Sequence, residues 1–145
     1  MPSIRSSLIL GCSLIGAGAI AIVGAGAASA DGLNLTPGNN GLLNGGTGNT
    51  GIANNLLGPG GGNVGVANGL LGGSGNTGVA NLGSGNHGLL NIGGPLNFGV
   101  ANIGAGQVGV ANIGAANAGL VNIGIGNLGA VNVGNGRVGI LRLGF

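Results

Sequence analysis

Charge is almost absent from this chain. Its 145 residues include three basic side chains, Arg5, Arg137 and Arg142, and one acidic side chain, Asp31. Three arginines cannot form a patch that neutralises a phosphate backbone, so the composition argues against nucleic-acid binding. A single carboxylate leaves no pair for acid–base catalysis and no cluster for a metal ion.

Other reactive and aromatic side chains are also scarce. The chain has no Trp or Tyr, two Phe, one Cys and one His. His87 has no carboxylate near it in sequence, so a structural role inside the fold is expected rather than a catalytic or metal-binding one. We therefore expect no enzyme activity, no cofactor, no metal and no small-molecule substrate.

The first thirty residues have the layout of a secretory signal peptide. One early cation, Arg5, precedes an apolar run from Leu8 to Val23, and small residues at positions 28–30 precede Asp31. This order of parts predicts a helical signal segment cleaved near Ala30, and hence secretion or a place in the cell envelope. An uncleaved N-terminal membrane anchor is the alternative. Cleavage would remove Cys12, and with it any disulfide or thiol chemistry.

Glycine is what the chain has in abundance, with 40 residues, and it comes with 43% hydrophobic residues and a mean hydropathy of +0.59. Disordered chains usually combine low hydrophobicity with high net charge, so disorder is not favoured. Glycine-rich composition with a period indicates a repeat architecture instead.

A five-residue unit supplies that period. From residue 97 the chain divides without a gap into NFGVA, NIGAG, QVGVA, NIGAA, NAGLV, NIGIG, NLGAV, NVGNG, RVGIL and RLGF. Before residue 97 the same unit recurs with interruptions around 58–62, 69–75 and 94–96. We therefore divide the chain into a signal peptide at 1–30, irregular repeats at 31–96 and regular repeats at 97–145, the last two forming one solenoid.

The unit resembles that of the pentapeptide-repeat family, as in Ala111-Asn112-Ile113-Gly114-Ala115. The longer patterns NIGIGNLG and NLGSGNHG also resemble the Asn/Gly-rich tandem repeats of mycobacterial PPE-type proteins, without the helical N-terminal domain of those proteins. The family resemblance implies an all-β fold, a right-handed, four-sided parallel β-helix with one unit per side and ~20 residues per coil, its strands spaced as in a sheet.

Strand alternation then suggests which residues face inward. We expect the central apolar residue of each unit, such as Phe98 or Ile113, to lie inside with the small residue two positions before it. The Asn between them would point outward and form a ladder, and the glycine would sit at the turn.

The last residue of the Ala-Asn-Ile-Gly-Ala frame is then expected on the outside. With twenty residues per coil, Val100, Leu120 and Ile140 would stack on one side, and Ala105, Ile125 and Phe145 on the next. An apolar surface of this kind usually marks an association site. The predicted interaction surface comprises Val100, Val110, Leu120, Ile125, Ile140 and Phe145. Arg137 and Arg142, which replace Asn in the last two units, are predicted to cap the open C-terminal end.

These features favour a secreted, non-catalytic structural or interaction protein that self-associates or contacts the cell envelope or a host surface. An ice- or surface-binding β-helix is the alternative, although we expect Thr36, Thr47, Thr50 and Thr77 to share no column. The gyrase-targeting DNA mimicry of some pentapeptide-repeat proteins is disfavoured, because mimicry of DNA needs an acidic surface.

Overall fold

The computed structural model describes residues 33–144, which form a parallel β-solenoid of about ten coils. The predicted signal segment, Cys12, Asp31 and Phe145 lie outside these residues. Fifteen short strands build one sheet. They are β1 (Asn40–Leu42), β2 (Thr50–Ile52), β3 (Val64–Val66), β4 (Thr77–Val79), β5 (Leu82–Gly83), β6 (His87–Leu89), β7 (Ile92–Gly93), β8 (Phe98–Val100), β9 (Ile103–Ala105), β10 (Val108–Val110), β11 (Ile113–Ala115), β12 (Ala118–Leu120), β13 (Asn122–Ile125), β14 (Leu128–Asn135) and β15 (Val138–Leu143).

Strand pairing divides the solenoid into two sides. The first side consists of β1, β2, β3, β4, β6, β8, β10, β12 and the start of β14. The second side consists of β5, β7, β9, β11, β13 and the end of β14, and β15 pairs with both parts of β14. The predicted all-β parallel β-helix is thus confirmed as a solenoid.

The predicted size of the coil is wrong. Val108 pairs with Ala118 and Ile113 pairs with Ile123, so one coil takes ten residues and two units. The fold has two strand-bearing sides, not four. Three coils are longer: the shift is fourteen residues from Thr50 to Val64, thirteen from Val64 to Thr77 and eleven from His87 to Phe98. Their extra residues fall in the interruptions between units.

The predicted distribution of residues between inside and outside is also wrong. Asparagine fills the interior, and no aliphatic or aromatic side chain is buried anywhere in residues 33–144. The central residues expected inside, Phe98, Ile103 and Ile113 among them, are exposed. Alternation explains the pattern, because Asn and the Gly two residues later share one face of the strand and the apolar residues share the other.

Buried amide side chains form two ladders, and Asn55 is a further buried amide outside both. The first ladder, which precedes the strands of the first side, contains Asn39, Asn49, Asn63, Asn76, Asn86, Asn97, Gln107, Asn117 and Asn127. The second ladder, which precedes the strands of the second side, contains Asn44, Asn54, Asn68, Asn81, Asn91, Asn102, Asn112, Asn122 and Asn132. Within the second ladder, Asn112 Nδ2 donates to the Oδ1 of Asn102 at 3.0 Å and to the carbonyl oxygen of Gly119 at 3.0 Å.

Glycine lies in the middle of each strand, not at the turn as the sequence suggested. Gly114 has a φ of +123°, and a Cβ atom there would overlap the carbonyl oxygen of Gly124 in the next coil. In the coils before β14 the turn is made by the residue that precedes the ladder amide, in the left-handed conformation. Its φ is 55° at Ala111 and 63° at Gly106. The unit therefore alternates inward Asn, outward residue, inward Gly, outward residue and corner.

Candidate interaction surface

An unbroken row of exposed aliphatic side chains runs along the first side. Each member follows the mid-strand glycine of its coil and pairs with the equivalent residue of the next coil. We call it the aliphatic row: Leu42, Ile52, Val66, Val79, Leu89, Val100, Val110 and Leu120. Ala130 and Ile140, which follow the paired glycines Gly129 and Gly139, continue the row to the last coil. Stacking ten coils at the strand spacing gives a row ~45 Å long.

The structure places five of the six predicted surface residues on the outside. Val100, Val110 and Leu120 are neighbours in the aliphatic row, and Ile140 is 80% exposed at its end. The predicted stacking of Val100 directly on Leu120 is wrong, because the ten-residue coil puts Val110 between them. Ile125 lies on the second side, where it pairs with Ala115 and Asn135. Phe145 is outside the described residues. Whether these residues bind a partner stays a prediction.

The second side also carries aliphatic side chains, but only over part of its length. Ile92, Ile103, Ile113 and Ile123 are exposed in successive coils. The neighbouring outward row, which follows the mid-strand glycines, carries Ser74 and Ser84 in the coils before Ala105, Ala115 and Ile125. The hydroxyl oxygen of Ser74 accepts a hydrogen bond from the backbone N–H of Gly61, and that of Ser84 accepts one from the N–H of Ser74. The first side is therefore the longer continuous apolar surface.

His87 and Phe98 form the aromatic pair of the described chain. They occupy adjacent strands of the first side, β6 and β8, with ring centroids 4.8 Å apart and planes 6° from parallel. The sequence placed both rings in the interior, and both lie on the outer face instead. Phe98 is exposed and His87 is half-buried, so the pair adds aromatic surface to the outer face beside the aliphatic row.

The two C-terminal arginines stand where the two ladders end. The backbone N–H of Arg137 donates to the Oδ1 of Asn127 at 2.8 Å, and Arg142 pairs with Asn132. Arg137 is half-buried, and its Nε has no hydrogen-bond partner within residues 33–144; nor has the buried Oδ1 of Asn132. The last coil therefore has two cations in place of two buried amides. This position agrees with a capping role, which stays a prediction.

Reactive groups are sparse in the part of the chain that the structure describes. Residues 33–144 contain no group of three His, Cys, Asp or Glu residues that could hold a metal ion. The same residues contain no helix of the length and hydropathy needed to cross a membrane. What the described surface offers chemically is apolar contact area.

Sequence reasoning missed one surface feature altogether. It placed no two of the threonines in one column, yet Thr50 and Thr77 both lie on the outer face of the first side, with Val64 paired between them. Two lengthened coils, of fourteen and thirteen residues, bring them into one row, and the twenty-residue coil assumed from the sequence hid it.

Comparison with known families gives one match. Residues 94–135 and 106–145 match the family model for pentapeptide repeats (8 copies), so the C-terminal coils are similar to that family. Searches of the curated proteins and of the solved structures return no match. The resemblance to PPE-type repeats stays a hypothesis from the sequence. A pentapeptide-repeat β-solenoid suggests a non-catalytic structural or interaction protein.

Proposed function

We propose that this protein is a secreted, non-catalytic structural or interaction protein that acts through the apolar exterior of its solenoid. The observation that carries the proposal is the distribution of side chains. Amides are buried, and aliphatic side chains are exposed in every coil of the first side. The strip is continuous and regular, and the largest apolar patch on a protein surface is often a site of association. Association would remove this surface from water.

Secretion is supported by the N-terminal segment. Arg5, the apolar run from Leu8 to Val23 and the small residues before Asp31 have the order of a signal peptide. The partner surface is then another copy of the chain, the cell envelope or a host surface. An N-terminal membrane anchor is the alternative arrangement, and it would present the same apolar exterior from the envelope.

Fractionation of the expressing host tests this proposal. We compare the natural chain with a variant carrying Leu120→Asp and Ile125→Asp, which places one charge on each side of the solenoid. Asn135→Asp is the control for a carboxylate on the second side, because it adds one charge at an exposed polar position next to Ile125. We expect the double variant to leave the envelope or assembled fraction while the control stays. Retention of all three forms in the cytoplasm, or identical distribution of the two variants, would overturn the proposal.

An ice- or surface-binding role is the second candidate. Its support is the regular outer face of the first side, where Thr50, Val64 and Thr77 occupy one row. Thermal hysteresis of the purified chain tests it. Replacement of both threonines by Leu should abolish hysteresis if this row binds ice, and absence of hysteresis in the natural chain excludes the role.

A further inference from the structure

We propose that the partner of the aliphatic row is the same row of a second copy, packed antiparallel, first side against first side. This inference rests on the proposed function and names its partner. The row repeats at the strand spacing of ~4.8 Å. A second copy presents side chains at that same spacing, so the residues of one row fit between those of the other along its whole length, as in the dry interfaces between paired identical sheets.

The first side is better suited to this packing than the second. The chain interruptions that lengthen three coils fall between the second-ladder asparagine and the next asparagine of the first ladder, as from Asn54 to Asn63. They thus interrupt the second side and leave the strands of the first side in continuous register. Ser74 and Ser84 also replace aliphatic residues there.

Charge decides the orientation of the two copies. Arg137 and Arg142 both lie in the last coil, and no other described residue carries a fixed charge. A parallel pair would bring four arginines together at one end, where they repel. An antiparallel pair separates the two clusters by the length of the row, ~45 Å, which is several Debye lengths at physiological salt.

The size of the surface agrees with a reversible dimer. A strip ~45 Å long and three residues wide, ~10 Å, covers ~450 Å² on each copy. Two such faces bury ~900 Å² in total, just below the ~1,000 Å² at which stable specific interfaces start and within the range of weak, transient contacts. We therefore expect association that depends on protein concentration.

Sedimentation tests whether the first side forms the dimer interface. The full chain is expressed with its N-terminal segment so that any processing takes place. Val110→Asp places a charge in the aliphatic row, and Ile113→Asp places the same charge on the second side at similar exposure, 41% against 44%. We expect Val110→Asp to raise the dimer dissociation constant about tenfold or more, and Ile113→Asp to change it about twofold or less. Circular dichroism checks that both variants keep the fold. Equal effects of the two variants overturn the choice of face.

Cross-linking tests the orientation. In a Cys12→Ser background, Leu89→Cys lies at the middle of the row, and Leu42→Cys and Ile140→Cys lie at its ends. With a short bismaleimide, antiparallel packing cross-links Leu89→Cys to itself and Leu42→Cys only to Ile140→Cys. Cross-linking of Leu42→Cys to itself indicates a parallel pair and overturns the proposal.

The two proposals can fail separately. A natural chain that stays monomeric at the highest attainable concentration, yet leaves the envelope fraction when Leu120 and Ile125 become Asp, overturns the second copy as partner and leaves the proposed function intact. If the chain is monomeric and its distribution between cell fractions is unchanged by those substitutions, both proposals are overturned.

Discussion

The side-chain oxygen of Asn112 accepts two hydrogen bonds from Asn122 in the next coil, one from the backbone N–H at 3.0 Å and one from Nδ2 at 2.9 Å. The same amide of Asn112 donates to the carbonyl oxygens of Val108 at 3.4 Å and Gly119 at 3.0 Å. Buried polar groups are tolerated only when they are hydrogen-bonded, and this amide is bonded on both its oxygen and its nitrogen. A ladder of such amides takes the place of a hydrophobic core.

Removal of one amide from a ladder should therefore destabilise the solenoid strongly. In Asn112→Ala, the carbonyl of Gly119 and the donors of Asn122 lose their buried partner. Each orphaned group costs about 1–3 kcal/mol, so we expect a loss of about 2–5 kcal/mol, measured by urea unfolding. Asn135→Ala is the control. Asn135 is exposed and makes one bond to the N–H of Ile125, and its loss should cost about 1 kcal/mol or less. Equal costs would mean that the ladder does not stabilise the fold.

A charge at the same place should make stability depend on pH. In Asn112→Asp the carboxylate would face the carbonyl oxygens of Val108 and Gly119 with no donor to give them. Burial and these oxygens raise the carboxyl pKa in the folded state above its unfolded value of about 3.9. The variant is then most stable below that value and loses stability as pH rises through the raised pKa. Unfolding midpoints at about pH 3 and pH 7 check this, each taken relative to the natural chain. A variant whose deficit stays constant over this range contradicts the prediction.

The mid-strand and corner glycines should differ sharply in their tolerance of alanine. A Cβ at Gly114 would overlap the carbonyl oxygen of Gly124, so Gly114→Ala should prevent the neighbouring coils from stacking. At the corner, a Cβ on Gly106 would have nothing within 4 Å, and the next coil already has Ala116 at that corner with a φ of 52°. Gly106→Ala should cost only about 1–2 kcal/mol, the penalty of a left-handed L-residue. Thermal unfolding followed by circular dichroism compares the two. Similar losses in both would show that conformation, not space, requires glycine in the strand.

The sequence was sufficient for the five-residue unit, the parallel solenoid and the exposure of Val100, Val110 and Leu120. It was insufficient for the interior, because alternation only separates Asn and Gly from the apolar residues and does not say which pair faces inward. Hydrophobicity favoured Ile113 over Asn112 for the inside. The structure has Asn112 inside, and only glycine fits at position 114 between the stacked coils, because a Cβ there would overlap the carbonyl oxygen of Gly124 in the next coil.

The size of the coil could also have been predicted from the sequence, from the residues at the corners. Over residues 101–126 the corners before the second ladder are Ala101, Ala111 and Val121, and the corners before the first ladder are Gly106, Ala116 and Gly126. Glycine is largely confined to the corners before the first ladder, which indicates two unlike corners per coil. The identity of the partner lies beyond such patterns, since a uniform aliphatic row carries apolar area without a code for what it contacts.

Replacement of Val121 by glycine should stabilise the solenoid. This β-branched residue has a φ of 31° at a corner where the preceding coils have Ala101 and Ala111 at 55°. Non-glycine residues in such regions cost about 1–3 kcal/mol, so Val121→Gly should raise the unfolding midpoint. Val131, at the equivalent corner of the next coil, lies within the continuous strand β14, and Val131→Gly should lower the midpoint. Thermal unfolding checks this, since the midpoint should rise in Val121→Gly and fall in Val131→Gly. A lower midpoint in both variants contradicts the assignment of strain to Val121.

The last prediction concerns the C-terminal end, where Arg137 and Arg142 occupy the next positions of the two ladders. Asparagine at both positions would continue the ladders, since an Nδ2 at position 142 could reach the Oδ1 of Asn132 as the Nδ2 of Asn132 reaches that of Asn122 at 2.9 Å. The outer edge of β15 would then be an uncharged strand edge, which readily pairs with another chain. We expect the double variant to form end-to-end oligomers larger than dimers in sedimentation.

A matched pair of variants separates the charge of this end from its shape. Arg137→Lys with Arg142→Lys keeps both cations and should stay at the size of the natural chain. All forms are measured in a Val110→Asp background, which removes association through the aliphatic row and leaves only contacts between ends. Growth of the Asn variant alone supports capping by charge, because lysine and arginine both discourage edge pairing. Growth of both variants would mean that the bulk of Arg137 across the open interior, not its charge, closes the solenoid.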